Sequence, residues 1–186
     1  MKKNIITTAI LSTSLLFSCF TLSAEAASTS TQLKHWSVGV GSYAFSIANS
    51  EDSESSSDFS GFDLSAGYAF NNHFQIRGTY FQLENDEFGE LESSGIDLMA
   101  YGGVGLAKSG FRGYGGAGFF SDEWKASRDS ESFSGFQFGG GLGYNWGPVA
   151  LDFVLKLRQA DKYEDFMYET GTYLAISGNL NVSYLF

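Results

Sequence analysis

Residues 173–186 read Tyr-Leu-Ala-Ile-Ser-Gly-Asn-Leu-Asn-Val-Ser-Tyr-Leu-Phe and alternate with a period of two. Leu174, Ile176, Leu180, Val182, Tyr184 and Phe186 share one side, with only Gly178 interrupting; Ala175, Ser177, Asn179, Asn181 and Ser183 take the other. Successive side chains point to opposite faces in a strand but recur about every 3.6 residues in a helix. The segment is therefore a strand with one apolar and one small, polar face. It ends on the apolar face, at an aromatic residue.

Seven upstream segments repeat this alternation. In 36–47, Trp36, Val38 and Val40 share a face and then Tyr43, Phe45 and Ile47 do, a change of phase near Gly41-Ser42 that predicts a β-bulge. In 59–70, Phe62, Leu64, Ala66, Tyr68 and Phe70 oppose Asp63 and Ser65; in 74–83, Phe74, Ile76 and Tyr80 oppose Gln75, Arg77 and Thr79. Segment 95–106 sets Ile96, Leu98, Ala100, Val104 and Leu106 against Asp97, Met99 and Tyr101, and glycine-rich 111–120 follows. Segment 133–144 opposes Phe136, Phe138, Leu142 and Tyr144 to Gln137 and three glycines, and 149–157 opposes its apolar residues to Asp152 and Lys156. The chain of 186 residues holds 23 glycines and 18 phenylalanines but one proline. No window carries the spacing of a long helix. The pattern predicts an all-β fold of eight strands.

The connections alternate in length. Asn71–His73, Ala107–Gly110 and Asn145–Pro148 are tight turns; Ala48–Asp58, Glu84–Ser94, Ser121–Ser132 and Arg158–Thr170 are long and polar. Strands of about ten residues suit a tilted bilayer crossing, and membrane barrels have even strand numbers with short turns on one side and long loops on the other. The expected architecture is an eight-stranded, antiparallel, up-and-down transmembrane β-barrel over 27–186. Residues 1–26 stand apart as a cleaved signal peptide. Lys2 and Lys3 precede an apolar run, and Ala24-Glu25-Ala26 has the small-x-small form of a cleavage site. Leu16-Phe17-Ser18-Cys19 matches a lipoprotein site only distantly, because Phe17 is bulky there. Cys19 is the one cysteine, so the mature chain has no thiol chemistry.

The phrases Val-Gly-Val-Gly-Ser-Tyr-Ala-Phe-Ser (38–46) and Gly-Tyr-Ala-Phe-Asn-Asn-His-Phe-Gln-Ile-Arg-Gly (67–78) carry a family likeness. With the alternation, they make the mature chain resemble the small eight-stranded outer-membrane barrels of the OmpX and OmpA type. The resemblance implies a bacterial outer-membrane location, with both termini and the tight turns on the periplasmic side. It implies lipid and lipopolysaccharide as surroundings and the barrel-assembly machinery as a partner. The terminal strand, with Tyr184 and Phe186, is similar to the family's membrane-insertion signal. A shared fold of this kind implies no particular activity and no cofactor.

Charge sorts the same way. Seventeen of the twenty acidic residues after residue 26 fall in the four long connections; Asp63, Asp97 and Asp152 fall in strands, all opposite the apolar face. The strand cations are Arg77, Arg112 and Lys156. A charge facing lipid at mid-membrane costs about 2–4 kcal/mol, so the six are expected in the lumen. A narrow lumen favours pairing them, with Gln75, Gln137, Asn179 and Asn181 as further partners. Heights counted from the turns match Arg77 with Asp152 and Asp63 with Lys156. Trp36, Phe70, Phe74, Tyr144, Trp146, Tyr184 and Phe186 are expected in a periplasmic aromatic girdle, and Tyr80, Phe119, Phe133 and Tyr173 in an outer one.

Other motifs carry less. Gly113-x-Gly115-x-x-Gly118 and Gly139-Gly140-Gly141 look like phosphate loops, but no helix follows either, and the mechanism requires one. His35 and His73 stand at the tight-turn end, away from the loops where an outer-leaflet enzyme would need a base. The expectation is a protein that is not an enzyme. The cluster Glu84, Asp86, Glu87, Glu90 and Glu92 attracts cations only diffusely and has no EF-hand spacing. The net charge is −10, or −11 once Lys2, Lys3 and Glu25 are removed, which disfavours nucleic acid. Two functional classes remain for a membrane barrel. One is a structural or surface-interaction protein with a side-chain-filled lumen, acting through acidic loops on a possible surface ligand. The other is a narrow channel for small solutes.

Overall fold

A computed structural model describes residues 33–49, 56–85, 91–126, 129–160 and 173–186. Eight strands follow one another: β1 (Trp36–Asn49), β2 (Ser56–Ala69), β3 (Phe74–Asn85), β4 (Glu92–Val104), β5 (Gly110–Ala126), β6 (Asp129–Asn145), β7 (Val149–Arg158) and β8 (Tyr173–Leu185). Each pairs antiparallel with the next, and β8 pairs with β1, so the sheet closes into an up-and-down barrel. At the seam Trp36 and Phe186 exchange backbone hydrogen bonds, both 3.0 Å. The proposed leader, residues 1–26, and parts of all four long connections lie outside the described residues.

Alternation assigns the faces. Outward, Trp36, Phe70, Phe74, Tyr144, Trp146, Tyr184 and Phe186 are all 41–58 % exposed around the tight-turn end. Tyr80 and Phe119 also point outward, but Phe133 and Tyr173 do not. These two share the inward parity of Gln137 and Asn179 on their own strands and pack in an apolar cluster inside the barrel. The expected outer girdle therefore keeps only two of its four members.

Three further expectations need correction. No bulge interrupts β1: Gly41 pairs with Asp63 and Asn181, and Ser42 with Phe62 and Leu180, one to one. What changes beyond Gly41 is the content of the inward face, where Tyr43, Phe45 and Ile47 fill the lumen. The connection expected at 121–132 is mostly strand, since β5 and β6 remain paired up to Ala126 and Asp129. Its serines and acidic residues mimic a loop because the outward face of this hairpin is polar. Leu106 lies in a turn, not in β4. Gly105, at φ 77°, redirects the chain so that Leu106 and Ala107 fold inward, each 1 % exposed.

The supposed phosphate loops are strand residues of β5 and β6. Gly139, Gly141 and Gly143 face the lumen, where they make room for large neighbours. A Cβ at Gly141 would stand 2.7 Å from the Tyr114 ring. Overpacking of this kind typically costs about 1–3 kcal/mol. Gly141→Val is therefore expected to lower the urea midpoint of the folded barrel in micelles, while Gly140→Val, on the outward face, changes it much less. Equal midpoints for the two would refute the packing role of Gly141.

Candidate functional site in the barrel lumen

The inward face of β7 supplies Asp152, Lys156 and Arg158, and each reaches across the lumen. Lys156 Nζ donates to Asp97 Oδ2 on β4, while Arg158 Nη2 donates to Asp97 Oδ1 at 2.9 Å and Nη1 to Asp122 Oδ2 on β5 at 3.3 Å. Tyr43 on β1 completes the group. Its hydroxyl donates to Asp97 Oδ2 at 2.7 Å and accepts from Arg158 Nη2 at 2.7 Å and Lys156 Nζ at 3.3 Å. The Arg158 guanidinium also lies 4.8 Å from the Phe45 and Phe120 ring centres and 5.0 Å from Phe81. Desolvated cations gain from such ring faces.

A second network lies toward the tight turns. Asp152 meets Arg112 Nη1 at 3.2 Å and Arg77 Nη2 at 3.6 Å, and accepts from the Tyr114 hydroxyl at 3.0 Å. Gln75 Oε1 accepts from both guanidinium groups. Asp63 is held differently, by Asn181 Nδ2 at 2.7 Å and Asn179 Nδ2 at 3.1 Å. In the register Gly41 lies between Asp63 and Asn181. A Cβ on Gly41 would stand 2.8 Å from Asp63 Oδ2, so glycine leaves the space through which the amides reach the carboxylate.

All six charges expected in the lumen are buried there, together with Asp122 and Arg158. Among the described residues the balance is four against four. The match of Arg77 with Asp152 is made. That of Asp63 with Lys156 is not, because Lys156 extends to the Tyr43–Asp97 pair across the barrel. Asn179, Asn181 and Gln75 join the networks as expected, whereas Gln137 donates instead to the Phe119 carbonyl at 3.0 Å. Asp122 and Arg158 fall in segments expected as loops, but β5 runs on to Ala126 and β7 to Arg158. Their parity with the inward positions of β5 and β7 was the available signal.

Among the described residues, packed side chains and hydrogen bonds crowd both ends of the lumen. Toward the loops, Phe45, Phe59, Phe81, Phe120, Trp124, Phe133 and Tyr173 pack into one cluster. Toward the tight turns, Leu106 N donates to Asn72 O, Lys34 N to Ala107 O and Asn145 Nδ2 to Lys108 O, which ties the turns together beneath the networks. His35 and His73 belong to this closure; each donates its Nδ1 hydrogen to a backbone carbonyl, of Ala69 and Gly103 respectively. Among the described residues no group of three or more histidine, cysteine or acidic side chains is arranged to hold a metal.

A closed eight-stranded barrel with an apolar exterior and paired charges inside defines a membrane-spanning β-barrel protein. Residues 12–186 match the family model described as the outer membrane protein beta-barrel domain. The chain belongs to that family, and its location is the bacterial outer membrane. Solved structures agree on the fold. Neisserial surface protein A is 18% identical with a TM-score of 0.57, covering 81% of this chain and 97% of its own. The N-terminal barrel domain of Pseudomonas aeruginosa OprF is 18% identical at 0.54, covering 83% and 100%. Ail of Yersinia pestis is 19% identical at 0.52, again covering 83% and 100%. No curated protein sequence matches.

Removing one partner of a buried ion pair costs about 3–5 kcal/mol, because the other charge stays buried. Asp152→Ala leaves two guanidinium groups without their carboxylate, whereas Arg77→Ala leaves Asp152 with Arg112. Chemical unfolding in micelles is expected to show Asp152→Ala as clearly the more destabilising. The reverse order would contradict the lower network.

Proposed function

We propose that the protein is a closed, non-conducting outer-membrane barrel, structural in its membrane part and acting outside the cell through acidic loops, and that it is not an enzyme. One observation carries this reading: the lumen is filled from Trp124 to Leu106 by aromatic rings and paired charges. An eight-stranded interior is just wide enough for side chains to fill it. Planar-bilayer recordings are expected to show no steady open level. Large, sustained conductance by the purified protein would establish the channel instead.

The sign of the loop end narrows the surface ligand. Apart from Asp122, the sequence at 48–60, 84–95, 121–134 and 159–172 holds sixteen acidic residues against Lys125, Arg128 and Lys162. Such a field draws cations and cationic partners and repels polyanions. Ail has been crystallised with the heparin analogue sucrose octasulfate, but the acidic loops here have the wrong sign for such a ligand. Lipopolysaccharide phosphates are approached through bridging divalent ions. Retention of a polycationic peptide, lost when residues 86–90 and 161–170 are deleted, is the expected binding result. Salt-sensitive retention on heparin would reverse the assigned sign of the ligand.

Assembly into the membrane is assigned to the barrel-assembly machinery, with Tyr184 and Phe186 on the outward face as the signal it reads. Phe186→Asp is expected to reduce the heat-modifiable barrel recovered from outer membranes; undiminished recovery would remove that role.

A further inference from the structure

Every neighbouring pair of strands except one is joined by the chain itself, through a tight turn or a long connection. The exception is the seam between β1 and β8. Alternation of faces forbids a slip of one residue there. It does not forbid a slip of two, which returns every side chain to its own face.

The inward side chains around the seam supply the missing constraint. Gly39 and Gly41 leave the lumen side of β1 bare between Ser37 and Tyr43, so side chains of β2 and β8 meet across it. Asp63 on β2 accepts from Asn181 Nδ2 at 2.7 Å and from Asn179 Nδ2 at 3.1 Å, both on β8. Ser65, also on β2, donates to Asn181 Oδ1 at 3.2 Å, and Ser183 donates to the same oxygen at 2.8 Å. A Cβ on Gly39 would stand 2.8 Å from Ser183 Oγ, and one on Gly41 would stand 2.8 Å from Asp63 Oδ2. Because a carboxylate only accepts, both amides must turn their nitrogens toward it. The number of amides makes this contact specific to one register. The inward positions of β8 run Ser177, Asn179, Asn181, Ser183. A slip of two residues in either direction puts one asparagine and one serine where two asparagines now meet Asp63.

We propose that Asp63 is a lock on the seam. From the next strand over, it fixes the register of β8 against β1 and resists opening of the barrel at the one pair that no connection joins. Separating β8 from β1 takes both amides away from a carboxylate that stays on β2, and hydrogen bonds to charged groups are the costly ones to lose. The lock depends neither on whether the lumen conducts nor on what the loops bind.

Hydrogen exchange of individual backbone amides in the folded protein in micelles tests the lock, since exchange reports local opening. Trp36 and Phe186 form a hydrogen-bonded pair across the seam, so by alternation Val40 and Val182 do as well. Asp63→Leu is expected to speed exchange of the Val40 and Val182 amides about tenfold, the effect of losing one hydrogen bond to a charged group. The amides of Leu98 and Phe119, paired between β4 and β5, are expected to change little. Asn179→Ala leaves Asp63 one amide; a smaller rise at Val40 and Val182 is expected and decides the question if Asp63→Leu does not fold. Unchanged exchange at Val40 and Val182 refutes the lock. A rise of equal size at Leu98 and Phe119 also overturns it, because Asp63 would then contribute only to overall stability.

Discussion

The number of strands is the constraint on which the rest depends. Eight strands enclose only enough space for their own side chains, so every large inward residue needs a small neighbour. The register supplies them: Tyr101 faces Gly116, Met99 faces Gly118, Asp152 faces Gly143 and Lys156 faces Gly139. Glycine normally weakens a strand because it packs nothing. Here its emptiness is what the partner occupies. The high glycine content and the filled lumen are thus one fact seen from two sides.

Charge follows from the same confinement. A buried ion pair adds little stability over a well-packed apolar pair, since desolvation offsets most of the attraction. Its value in a barrel is different. Slipping a strand by one residue exchanges its faces, and an all-apolar chain would lose little by it. With Asp97, Asp152, Lys156 and Arg158 inside, a slip of β4 or β7 would put charges against lipid, at about 2–4 kcal/mol each near the midplane. β7 carries three of these charges and reaches β1, β3, β4 and β5 through them. The networks therefore fix register around the barrel as well as filling it.

Period two and the confinement of strand charges to one face were enough to read the architecture and the six central lumen charges. What was not legible has a common cause. Near the loop end the inward face changes from polar to aromatic, and the outward face of the β5–β6 hairpin from apolar to polar. Tyr43, Phe45 and Ile47 then look like a phase slip, Phe133 and Tyr173 like girdle residues, and Asp122 and Arg158 like loop charges. A pattern that equates apolar with outward fails where the strands leave the membrane but the lumen continues. Partner choice was equally hidden, because Lys156 crosses the lumen to Asp97 while Asp63 is served by amides from β8. Heights along the axis do not encode such reach.

The two ends of the barrel are consequently free to differ. Lumen charges cancel, so the field outside is set by the connections alone. At the tight turns these carry Lys34 and Lys108, and backbone bonds among them close the barrel. At the other end the connections are long and acidic, and the aromatic cluster beneath them packs inside the barrel without help from their charges. Substitution in the loops can therefore change what the surface attracts without unpairing a buried charge. The separation holds only while Arg158 stays between the two regions. It is bonded to Asp97 below and packed against Phe45, Phe81 and Phe120 in the cluster above, so it is the residue through which a disturbance at the surface would reach the core.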